Sequence, residues 1–71
     1  MEPTNEVKKL ILEQKLQGVI NTIYSVTIDA RVSKSIEDKQ GEENAKKNLT
    51  NLEKSKDFIE AEIKALEPNA A

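Results

Sequence analysis

The sequence predicts an all-α fold, an antiparallel two-helix hairpin of coiled-coil type that dimerises into a four-helix bundle. Three observations predict it. Apolar residues recur alternately four and three places apart in both halves of the chain, which is the spacing of a helix packed along another helix. The two series mirror one another about Gly41, as the facing residues of a hairpin must. The first half also carries a second apolar stripe that a lone hairpin would leave uncovered.

Residues 1–4 form a short polar lead. Thr4 is placed to cap a helix whose first turn holds Glu6, where a carboxylate suits the positive end of the helix dipole. Helix one is expected over about 5–39, with Leu12, Leu16, Val19, Ile23, Val26, Ala30, Ser33 and Glu37 as its seam. Gly18 lies inside it, at a cost of roughly 1 kcal/mol relative to Ala, beside the seam residue Val19 where a close backbone approach would explain it. Residues 22–33 carry a competing signal. Val26, Ile28, Ala30 and Val32 alternate there with Thr27, Asp29, Arg31 and Ser33, as in a strand. No turn residues bound that stretch and no second strand exists to pair with it, so helix is the preferred reading.

The turn is expected at 40–41, with Gly41 in the left-handed conformation that closes many helices. Helix two then runs over about 42–67. Its seam is Ala45, Leu49, Leu52, Lys56, Ile59, Ile63, Leu66 and Ala70. Glu42 and Glu43 favour its start, Glu43/Lys47 and Glu60/Lys64 are i,i+4 ion pairs, and Pro68 stops it, with 69–71 fraying beyond. The mirror symmetry sets Leu16 opposite Leu66, Val19 opposite Ile63, Ile23 opposite Ile59 and Ala30 opposite Leu52. It also sets Lys56 opposite Val26. A polar seam residue can fix register, but the preferred reading bends the Lys56 stem across the seam and leaves its ammonium in water near Asp29.

The whole chain, 1–71, reads as a single domain of marginal size. Ordering a residue costs roughly 1.5 kcal/mol, and burial returns about 25 cal/mol per Å² of apolar surface. One thin seam scarcely offsets that. The chain has no Cys and no His, so disulfides and the usual zinc sites are excluded. Association is the remaining source of stability.

The uncovered stripe shows where association would act. Tyr24, Ile28, Val32 and Ile36 stand four places apart on the side of helix one away from its seam, and Val7, Leu10 and Ile11 belong to that side too. The back of helix two is polar apart from Phe58. A helix apolar on two sides belongs in the middle of an assembly. A twofold contact of helix one on helix one would give a four-helix bundle with the polar helices outside. Those seven residues are the expected partner-binding surface.

Enzymatic chemistry finds no support. Without Cys or His the common nucleophile–base pairs cannot form, and two distant glycines make no phosphate-cradling loop. Acid pairs such as Glu60/Glu62 look like solvated helix faces rather than metal ligands. No catalytic, cofactor or metal site is expected. With 13 acidic and 11 basic residues, a dedicated nucleic-acid binder is disfavoured. Lys8, Lys9 and Lys15 keep a helical-hairpin RNA regulator open, but Glu6 and Glu13 interrupt them. No stretch has the roughly 20 apolar residues of a membrane span and no basic-then-apolar opening is present, so a cytoplasmic location is expected. The Lys-, Asn-, Ile- and Glu-heavy usage points to a bacterial or phage source. The expected role is a structural or adaptor protein that self-associates through helix one. The alternative is a small regulatory module that docks the same face on another protein.

Overall fold

The computed structural model describes residues 2–67. It consists of two helices, α1 (Asn5–Ser35) and α2 (Lys39–Ala65), packed along each other as an antiparallel hairpin. The hairpin is 49 Å long and 17–22 Å across. There is no strand among the described residues. The segment 22–33 is helical throughout. Its seam residues Ile23, Val26 and Ala30 pack on α2, and its threonine hydroxyls donate back one turn, Thr22 to the Gly18 carbonyl at 2.8 Å and Thr27 to the Ile23 carbonyl at 2.7 Å. At the chain's start Thr4 caps α1 as expected, its hydroxyl accepting from the Val7 N–H at 3.3 Å.

The seam follows the expected spacing. From Leu12 to Ser33 on α1 and from Ala45 to Leu66 on α2, the four-three residues are the covered ones, whereas most of their neighbours are exposed. Covered here means half-buried. Ala45, at 5 % exposure, is the one buried residue among those described. The expected stop at Pro68, the seam position Ala70 and the fraying of 69–71 lie outside the described residues.

The turn differs from the expected one. It occupies 36–38, not 40–41, so α1 ends four residues early and α2 begins three residues early. Glu37, not Gly41, adopts the left-handed conformation, with φ of 61°. The hydrogen bonds show why the chain reverses there. The Asp38 N–H donates to the Ser33 carbonyl at 2.8 Å and the Glu37 N–H to the Lys34 carbonyl at 3.2 Å, which together form a Schellman closure. Asp38 then opens α2: its Oδ1 accepts from the Gly41 N–H at 3.0 Å and its carbonyl from the Glu42 N–H at 3.0 Å. One residue thus ends the first helix and caps the second.

Gly41 sits within α2 with ordinary helical backbone. Its lack of a side chain serves space rather than conformation. A Cβ there would come within 2.5 Å of Asp38 Oδ2 and 2.6 Å of Ser33 Oγ. The short turn brings the helices together at this end, and small residues line it: Ala30, Ser33, Gly41 and Ala45. The large ones, Leu12, Leu16, Ile63 and Leu66, lie towards the open end.

Because the turn comes earlier, the register moves by about one seam step. Leu12 shares a depression with Leu66, Ile23 with Lys56, and Val26 with Leu52. The mirror symmetry about Gly41 had set Leu66 opposite Leu16 and Ile59 opposite Ile23. The ion pairs also differ from expectation. Glu42 pairs with Lys46 at 3.6 Å, and Glu60 turns to Lys56 at 3.8 Å rather than to Lys64.

Two substitutions test this turn by thermal unfolding at fixed concentration. Glu37→Gly removes the left-handed penalty, which exceeds the chain entropy that glycine adds, and is expected to stabilise by roughly 0.5–1 kcal/mol. Gly41→Ala should destabilise by about 1–2 kcal/mol despite alanine's better helix propensity, because the new methyl displaces the Asp38 cap. A stabilised Gly41→Ala variant would show that the cap does not depend on that space.

Candidate interaction surface

Helical geometry turns the second stripe into a surface. At 3.6 residues per turn, Tyr24, Ile28, Val32 and Ile36 each advance slightly round α1, so the row slants across the side away from α2. Tyr24 is 68 % exposed and Ile36 67 %, and Val32 is also exposed. Ile28 departs from this pattern: it is half-buried, with apolar residues one turn to either side. Ile36 stands just past the end of α1, as its C-cap residue. The structure adds one member that the sequence reading missed. Ile20, 39 % exposed, extends the row by one more step of four. Its signal was that same spacing, hidden because Ile20 lies next to the seam residue Val19.

Val7, Leu10 and Ile11 are exposed as well, since they too lie on the side of α1 away from the seam. Leu12 is level with Leu66, and α2 ends at Ala65. Leu66 and Glu67 share a second depression with Asn5, Glu6 and Lys9, in the first turns of α1. No residue of α1 is fully buried. Apolar side chains are spread round α1, whereas those of α2 are gathered on one side. The back of α2, from Lys46 to Lys64, is exposed and polar, with Phe58 the large apolar exception at 65 %.

Gly18 lies on the exposed side of α1, between the two apolar clusters. A Cβ built there meets nothing within 4 Å. The close approach expected beside Val19 is thus not made within the hairpin. Beside it the Gln17 amide donates to Asn21 Oδ1 at 2.9 Å across one turn.

The charged candidates are less organised. Lys8 is engaged by Glu2 at 3.6 Å, and Glu6 and Glu13 stand exposed among the basic residues. Lys56, in the seam beside Ile23, sends its ammonium to Glu60 on its own helix and not to Asp29. The stem is used as packing and the charge stays at the surface. No helix among the described residues is long and apolar enough to cross a membrane.

No protein-family model matches the chain, and neither a curated protein nor a solved structure matches it.

Lys56→Leu should raise hairpin stability by about 1 kcal/mol, since an apolar side chain fills the seam against Ile23. Glu60→Gln should change it by less than about 0.5 kcal/mol, as for other exposed pairs. Urea unfolding midpoints of the two variants check both values. A destabilised Lys56→Leu variant would give the lysine a register-fixing role instead.

Proposed function

We propose that this chain is a non-enzymatic structural or adaptor protein that acts by self-association, α1 of one copy packing on α1 of a second to form a four-helix assembly with α2 outermost. The observation that carries this reading is area. The chain exposes 5740 Å² at a mass of 8.0 kDa, whereas a compact chain of that mass exposes about 4,450 Å². The excess is roughly 1,300 Å², and a stable dimer contact covers about 800 Å² on each partner. Of the eight large apolar residues exposed among those described, seven lie on α1 or at its C-cap, so a contact there would cover part of the stripe and supply burial that the seam lacks. A bacterial or phage assembly component working in the cytoplasm fits this reading and the residue usage.

Light scattering and far-UV circular dichroism over a dilution series test it. The expected result is a strongly helical dimer. Ile28→Glu or Val32→Glu should raise the dissociation constant at least about tenfold, a change of roughly 1.4 kcal/mol. Phe58→Glu, an equally exposed site on the outer helix, should leave it unchanged. A weakly helical monomer would overturn self-association in favour of a module that orders on another protein.

A further inference from the structure

We propose that the two copies cross at Ile28, α1 over α1 at about 50°, with both α1 helices running in the same general sense. This rests on the self-association proposed above and specifies its geometry. Spacing separates the two faces of α1. The seam steps alternately by four and three, which keeps it along the helix and lets α2 lie alongside. The second row steps by four alone, through Ile20, Tyr24, Ile28, Val32 and Ile36. A row of fours is a ridge inclined to the helix axis by about 26°. Two such ridges run side by side only when their helices are inclined by twice that, in the sense of about −50°. Helices laid nearly parallel would bring the two rows together in the middle and part them at both ends.

The row places the crossing. Ile28 is its middle member and stands about 160° round the helix from both seam residues Val26 and Ala30, so it faces away from α2. Tyr24 and Val32, one turn to either side, are 68 % and 52 % exposed. A crossing here covers these three, with Ile20 and Ile36 at its edges. Val7, Leu10 and Ile11 lie about 25 Å or more along α1 from Ile28, where helices at this angle have diverged, and they take no part.

Charge fixes the sense. Asp29 and Arg31 flank Ile28 on opposite sides, about 100° and 60° round the helix. Both are exposed, and among the described residues neither is in an ion pair. When two copies related by a twofold axis run in the same sense, opposite flanks of the two helices meet. Asp29 of each copy then faces Arg31 of the other. The steep crossing helps, because it brings a residue on the Asp29 flank level with one about three places later on the other copy's Arg31 flank. Running in opposite senses would set Asp29 against Asp29 and Arg31 against Arg31, and like charges across a contact are repulsive.

Cysteine cross-linking and charge exchange test the two parts separately, because the chain has no native Cys. Ile28→Cys should oxidise to a disulfide-linked dimer, with several-fold less product from Leu10→Cys. Equal cross-linking of Leu10→Cys would replace the crossing by helices laid side by side, with self-association intact. A dimer whose Ile28→Cys variant does not cross-link would overturn the crossing point. Asp29→Arg and Arg31→Asp should each raise the dissociation constant roughly fivefold at low salt, since both copies lose their pair. The double variant should restore it with the helical signal unchanged. Single variants that leave the constant unchanged would overturn the shared sense. A monomeric wild-type mass would overturn self-association as well.

Discussion

Asp38 holds the hairpin together at its closed end. Its backbone N–H completes the closure of α1 and its side chain caps α2, so only three residues separate the helices. A turn this short has steric consequences. The helices are brought close together just beyond it, which is why glycine stands at 41 against Ser33 and alanines at 30 and 45. Further out the seam is filled by larger side chains, chiefly leucine and isoleucine. The position of the turn also sets which seam residues meet, since an antiparallel pair has no other fixed point.

What the turn cannot provide is a core. Two helices share one contact, and every described seam residue except Ala45 keeps a substantial part of its surface in water. The polar back of α2 tolerates this. The exposed apolar residues of α1 do not, and the proposed function rests on them. Under the proposed function, the surface that would bind is the surface the hairpin leaves uncovered.

The architecture was legible because it rests on spacing. Leu12 to Ser33 and Ala45 to Leu66 can be read as seam from their positions alone, and the helix period overrode the strand-like alternation around Thr27. The turn was less legible because two roles of glycine look alike in a sequence. Gly41 reads as a left-handed helix end, yet that conformation falls to Glu37, an ordinary residue held by hydrogen bonds that a sequence does not display. The register error follows from that one misplacement. On the surface, the missed residue Ile20 and the half-buried Ile28 mark the resolution of a helical wheel, which ignores how neighbouring side chains share cover.

The row on α1 has one further property. Steps of four advance about 40° beyond a full turn, so from Ile20 to Ile36 the row swings through roughly 160°. A partner laid straight along α1 meets it only in the middle, and its two ends fall on opposite flanks. Anything that covers the entire row must wrap around the helix, and must wrap in the right-handed sense of the row itself. The row therefore has a handedness of its own, written in side-chain spacing alone.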